Sequence, residues 1–329
     1  MSELADLVRL GRRALKAGER ALLAQVVRVE GSHYRRPGAR MILTDSGESA
    51  GSISAGCLEA DLARRLPQVC EGGRPELVEY DTRAAEDVVW GLGLACGGRV
   101  TILLTPLEEK TVSRLEQIDR RLAGGEAVRL ETAWGAGEIL VETLEPSIAL
   151  WVCGAGPDAA PLIEQAILLG WPVEVFAPRP AAAAARRLAA IAPGGIRAAE
   201  ELDRLRAHTR AAAVVMTHNF LEDLFFLRRL QAAAVGYLGV LGPRERTERL
   251  LRALEKEAAS ADFGSRLYSP VGLDIGANTA EEIALAIAAE VSAAFRGRPG
   301  RSLRERCEPI HDRTDANSEG LLAESARSA

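Results

Sequence analysis

The stretch IALWVCGAGPDAAPLIEQA, residues 148–166, constrains this chain more than any other. An apolar run ends in Gly154-Ala155-Gly156-Pro157-Asp158-Ala159 and passes directly into helical spacing, the strand–turn–helix context of a dinucleotide-type glycine loop. Gly154 suits a sharp turn, Gly156 a close backbone approach to a phosphate, and small Ala159 a tight helix–strand packing. The amides of the helix start would face the anion. Read more plainly, the same residues are a tight strand-to-helix turn.

From Ser147 onward the pattern repeats. The apolar runs IALWVC, VEVF, AAVVMT and GYLGVL alternate with the helical segments AAPLIEQAILL, AAAAARRLAA, EDLFFLRRLQAAA and RERTERLL. Such alternation specifies a doubly wound parallel sheet. A last helix starts at Thr279-Ala280-Glu281-Glu282, a capping box, and runs to about Phe295. Beyond Gly297 apolar anchors are few, so 299–329 reads as a loosely held tail.

The first 146 residues follow another rhythm. An amphipathic N-terminal helix precedes the β-like runs ALLAQVVRV and ARMILT, joined by the cationic segment GSHYRRPG, with a third short strand expected around Gly51–Ser54. Leu58, Leu62 and Leu66 then recur four apart, which places Cys57 at a strand-to-helix turn. The strand ELVEY leads through the acidic stretch Asp81–Asp87 to the loop WGLGLACGG and the strand RVTILL. Glu108–Ala123 reads as helix, and AVRLET with GEILVE as a hairpin. We therefore expect a small mixed α/β domain over 1–146 and a Rossmann-like domain over 147–298, an α/β chain throughout.

Composition narrows the partners. A formal net charge of -5 and a pI near 5.6 supply no basic excess for nucleic acid. The first twenty residues carry charge throughout and read neither as a signal peptide nor as a membrane span, so a cytoplasmic protein is expected. Five cysteines with no C-x-x-C pair fit a reducing compartment.

Several residues could carry chemistry. Cys57 follows Ser54-Ala55-Gly56 near a helix start, where free amides favour thiolate, making it the best nucleophile or soft ligand; free cysteine is also commonly a small buried hydrophobe. Cys96 stands among glycines that build a loop and not a core, and we expect it on one rim with Cys57. Arg35, Arg36 and Arg40 around Pro37-Gly38 could clamp an anion, or be a solvated charged hairpin. Where a ribose-binding acid is expected, the chain has Ala177-Pro178-Arg179, which suits an extra phosphate better than NAD, unless Arg179 is a solvated cation. His218 in Thr217-His218-Asn219 and Arg244 in Gly242-Pro243-Arg244 fall at strand ends facing the glycine loop. His218 is then an acid–base group, a hydrogen-bond donor or a structural histidine.

The motifs GSHYRRPGARM, GSISAGCLEA, WGLGLACGG, the glycine loop, VVMTHNFLED, GYLGVLGPRERTERL and PVGLDIGANTAEEIALAIAAE occur in this order. Together, from about Leu22 to Phe295, the chain resembles the xanthine dehydrogenase accessory factor family, XdhC/CoxI. The resemblance implies a chaperone that binds molybdenum cofactor (molybdopterin) as cargo, supports its sulfuration, and passes it to a molybdenum hydroxylase such as xanthine dehydrogenase. A cysteine desulfurase fits as a further partner, and homodimerisation is the default expectation. The family's two glycine-loop cysteines map to Cys57 and Cys96, its threonine-histidine pair to His218, and Cys57 becomes a candidate ligand of the cargo's molybdenum. Two departures fall at the nucleotide crevice: Pro157-Asp158 replaces a usual histidine, and Ala177-Pro178 a common Asp-Ser. The competing reading is an NAD(P)-dependent oxidoreductase.

Overall fold

The structure is a computed structural model that describes residues 3–31, 34–81, 98–178, 182–204, 208, 210–256 and 263–307. The chain divides into two compact units: the described residues up to Arg121 with Val128–Leu144 form one, and Leu122–Ala127 with the described residues between Glu145 and Cys307 form the other.

In the first unit the elements run α1 (Glu3–Ala17), β1 (Ala21–Gly31), β2 (Arg40–Thr44), β3 (Ser49–Gly51), α2 (Glu59–Gly72), β4 (Glu76–Asp81), β5 (Gly98–Pro106), α3 (Glu109–Ala123), β6 (Val128–Trp134) and β7 (Glu138–Leu144). Five strands form an antiparallel sheet in the order β3-β2-β1-β5-β4, and β6 with β7 make a separate hairpin. The central strand β1 reads as a continuous apolar run because both its faces are covered. Leu22, Ala24 and Val26 join the core with Leu58, Leu62, Leu66 and Val69 of α2. Ala21 and Leu23 point the other way, into the core made by Leu7, Leu10 and Ala14 of α1 and Val112 and Leu115 of α3. This is the period-two alternation of a strand, and each fully buried leucine contributes about 1.5–3 kcal/mol.

The third strand starts two residues and ends three residues before the sequence expectation. Gly51 adopts a φ of +74°, and a Cβ there would collide with the carbonyl oxygen of Arg40. Pairing with β2 therefore ends at Gly51, and the chain bends through Ser52–Leu58, burying Ile53, before α2 begins.

The second unit contains β8 (Ala149–Cys153), α4 (Ala159–Leu168), β9 (Val173–Ala177), α5 (Ala182–Ile191), β10 (Ile196–Ala198), β11 (Ala211–Val215), α6 (Phe220–Ala232), β12 (Tyr237–Val240), α7 (Arg244–Lys256), β13 (Leu267–Tyr268) and α8 (Ala280–Ala294). All its strand pairs are parallel, in the order β10-β9-β8-β11-β12-β13. Counted along the chain this is 3-2-1-4-5-6, the doubly wound Rossmann order, with its switch point between β8 and β11. Leu150 and Val152 of β8 face the core shared with α4 and α8, whereas Trp151 and Cys153 face the core shared with α6 and α7. The sequence reading names four of these strands. It passes over β10 and β13, which at three and two residues on the sheet edges carry no apolar run of their own.

The capping box is present: Thr279 Oγ1 accepts from the Glu282 N–H, and Glu282 Oε2 accepts from the Thr279 N–H at 3.0 Å. A second N–H, from Asn278 at 2.7 Å, also reaches that carboxylate, and these backbone donors hold Glu282 below its ordinary pKa. A folded pKa lower than the unfolded one gives stability that is complete above about pH 4.3 and is lost as pH falls through the folded value. We expect amide-exchange protection at Asn278 and Thr279 to drop selectively in acid. Glu282→Gln should flatten that pH dependence; an unchanged acid response in this variant would refute the assignment.

Candidate functional site: the crevice at the switch point

Strand register brings three loops to one end of the parallel sheet, since Val215 pairs with both Cys153 and Val240. The first is the glycine loop. The Gly154 N–H donates to Phe176 O at 2.8 Å, and its φ is +139°. A Cβ on Gly154 would lie 2.7 Å from the Met216 carbonyl oxygen, so glycine lets β8 and the end of β11 approach at the switch point.

The second loop carries Thr217-His218-Asn219. Asn219 caps α6, its Oδ1 accepting from the N–H groups of Leu221 and Glu222. His218 has a φ of +59°, a left-handed conformation that a non-glycine residue holds only when its surroundings over-determine it. One such constraint is a hydrogen bond of 2.7 Å between His218 Nε2 and Asp158 Oδ2. Asp158 is the N-cap of α4 by position, yet its side chain makes no capping bond. A Cβ on Gly156 would stand 3.5 Å from His218 Cδ2, so the imidazole lies beside the second glycine.

The third loop holds Gly242 (φ +132°) and the exposed Arg244. Behind it, Asp223 of α6 is 1% exposed and fully engaged. It accepts from the N–H and hydroxyl of Thr217, and from Nε and Nη2 of Arg246 at 3.1 and 2.7 Å. One buried carboxylate thus ties the His218 loop to α6 and α7. Nearby Cys153 is held as a thiol, burial and then Asp223 pushing its pKa far above the ordinary value.

The structure therefore gathers Gly154, Gly156, His218 and Gly242 at one crevice, gives the departing residue Asp158 a partner there, and adds Asp223 and Arg246, which sequence reasoning missed. Asp158 reads in the sequence only as a departure from the family's glycine-loop histidine, with no partner named, and no local pattern links Asp223 to Arg246. Pro157 has no N–H to offer an anion, and the Ala159 N–H turns back to Gly156 O at 3.2 Å. β9 ends at Ala177-Pro178 with no acid, and Arg179 lies outside the described residues.

In the first unit Cys57 is half-buried against the α2 core, one residue before the N-cap Leu58. Gly56 has a φ of +105° and open space around it. The helix start is already supplied with acceptors: Ser54 Oγ accepts from the N–H groups of Gly56 and Leu58, and Glu59 Oε2 accepts from Leu58 at 3.0 Å. The amides at the helix start are thus partly spent, and a carboxylate stands two residues from Cys57. Cys70 donates its thiol to Ala21 O and has a raised pKa, chiefly through burial. Cys96 and its shared rim with Cys57 lie outside the described residues.

The arginine clamp is not assembled. Arg35 pairs with Glu3 at 2.7 Å, and the mostly covered Arg40 pairs with buried Glu142 at 2.8 Å. Arg36 closes the turn, its carbonyl accepting from the Ala39 N–H. Among the described residues, no group of three or more His, Cys, Asp or Glu side chains is set to hold a metal ion, and no helix is long and apolar enough to cross a membrane.

Fold and site together define a two-unit α/β protein, a small antiparallel unit followed by a Rossmann unit with a histidine–aspartate pair at its switch point. Residues 150–291 match the XdhC Rossmann domain, and residues 14–81 match the XdhC and CoxI family. The chain is 30% identical to a probable xanthine dehydrogenase subunit of Bacillus subtilis (strain 168), over 84% of this chain and 94% of that protein. It is 25% identical to the molybdenum cofactor insertion chaperone PaoD of Escherichia coli (strain K12), over 87% of each. The crystal structure of a xanthine dehydrogenase from Bacillus halodurans superposes with a TM-score of 0.74 at 28% identity, covering 92% of this chain and 98% of that one. The chain belongs to the XdhC and CoxI family.

Proposed function

We propose that this protein binds molybdenum cofactor as cargo, supports its maturation, and passes it to a molybdenum hydroxylase of the xanthine dehydrogenase type. The observation that carries the reading is near full-length similarity to a molybdenum cofactor insertion chaperone and to a probable xanthine dehydrogenase subunit. The crevice agrees with it, because Ala177-Pro178 and Pro157 remove two features on which NAD recognition depends. Cys57, in an open glycine bend, is the side chain best suited to the soft, sulfur-ligated metal of the cargo. We place the protein in the cytoplasm, as a homodimer, with a cysteine desulfurase as the sulfur source. The Rossmann strand order and glycine turn keep one second reading in view, an NAD(P)-dependent oxidoreductase.

Two measurements decide between them. Purified protein should retain molybdopterin through ultrafiltration and leave NADH and NADPH fluorescence unchanged. Co-production of a client hydroxylase with wild-type protein, Cys57→Ala or Cys57→Ser should then give client with about 10–100-fold less active cofactor for both variants. Each variant should lose only about 1 kcal/mol of stability, since Cys57 is half-buried. Fully active client from both variants would make Cys57 a packing residue, and tight NADPH binding with no molybdopterin retention would replace the chaperone reading.

A further inference from the structure

We propose that Asp158 sets the polarity of the glycine loop, so that the crevice receives an uncharged heterocycle edge carrying N–H donors and rejects phosphate. The inference rests on the reading that the crevice holds the cargo, and it names which end of that cargo docks there: the pterin ring.

In a dinucleotide-type loop the pyrophosphate lies on free amides at the helix start, and the second glycine lets it approach the backbone. Both requirements are altered here, and a like charge is added. Pro157 contributes no N–H, and the Ala159 N–H is directed to Gly156 O. The imidazole of His218 stands beside Gly156, on the approach a phosphate would use. Asp158 adds a partly exposed carboxylate on the first turn, where like charge opposes a phosphate.

The same arrangement suits a hydrogen-bond donor. His218 engages Oδ2 of Asp158, and no described residue donates to Oδ1. His218 is held in its left-handed conformation between Thr217, whose hydroxyl is bound to Asp223, and the α6 cap Asn219. The carboxylate is thereby positioned with an acceptor to spare. A pterin presents neighbouring ring and amino N–H groups to such an acceptor, and hydrogen bonds to an ionised carboxylate are about twice as strong as neutral ones. Asp158 is the specificity-determining residue, and His218 the positioning residue behind it.

The test uses the full chain and three probes: pterin followed by its own fluorescence, inorganic pyrophosphate, and NADH. Wild-type protein should bind pterin, with pyrophosphate and NADH failing to displace it. Asp158→Asn, isosteric and uncharged, should weaken pterin about tenfold and strengthen pyrophosphate by a similar factor. His218→Ala should weaken pterin while pyrophosphate stays excluded, because the carboxylate remains. Absence of pterin binding to wild-type protein, or pyrophosphate displacing pterin equally well from wild type and Asp158→Asn, overturns the proposal. If pterin binding follows Asp158 as described while molybdopterin is not retained, the polarity of the loop stands and the chaperone reading falls.

Discussion

Glu142→Ala should lower the unfolding free energy of the antiparallel unit by about 3–5 kcal/mol, the cost of stranding a buried charge. Arg40 of β2 and Glu142 of β7 have side chains only 11% and 9% exposed, with Nη2 and Oε1 at 2.8 Å. The second carboxylate oxygen accepts from Gln25 Nε2 at 3.2 Å, and the same amide reaches Thr132 Oγ1 at 3.3 Å. The β6–β7 hairpin is thus tied to β1 and β2 of the sheet by one polar network. Alanine leaves the Arg40 guanidinium without its carboxylate in a place water scarcely reaches, whereas the double variant Arg40→Met/Glu142→Leu removes both charges and should recover most of the loss. Urea unfolding followed by circular dichroism gives the comparison. Equal instability of the single and double variants would mean that hairpin packing, and not the uncompensated charge, sets the cost.

Asp223→Ala should cost the Rossmann unit about 3 kcal/mol and also disorder the crevice. Arg246 is 25% exposed, so water can partly replace the lost carboxylate, and we place the cost at the lower end for a broken buried pair. The functional effect is larger than the energetic one, because the Thr217 N–H loses its acceptor, its hydroxyl keeps only the Asn219 carbonyl, and His218 loses part of its support. Hydrogen exchange at Thr217 and Asn219 should accelerate well beyond that at β11. Pairing Asp223→Asn with Arg246→Ala in a double-mutant cycle should return a coupling of about 0.5–3 kcal/mol. A coupling near zero would show that Asp223 acts only through Thr217.

Much of the fold is legible in the sequence because the interactions that encode it are short-range. Leu58, Leu62 and Leu66 mark the buried face of α2, and Thr279 with Glu282 marks the start of α8, each within a turn or two of helix. Gly154 lies in the strand-to-helix turn that its neighbours imply, and the alternating runs yield a parallel α/β sheet. Family membership is legible too, since it resides in the order of whole motifs.

The partners of charged side chains are not local in this sense. Arg40 and Glu142 are 102 residues apart, Asp158 and His218 are 60, and Asp223 and Arg246 are 23. Arg40 reads as part of an exposed cationic hairpin until β6 and β7 bring Glu142 to it and bury both. Asp158 reads as a bare departure in the glycine loop until the crossover order 3-2-1-4-5-6 sets β8 beside β11 and turns its carboxylate to His218. Sequence alone determined the helices and the longer strands, though not the short edge strands β10 and β13 or the bounds of β3, and it determined to which family the chain belongs. Only the tertiary structure decided which ionic groups meet, because a carboxylate selects its partner through strand order and burial, and neither is encoded within reach of a single turn.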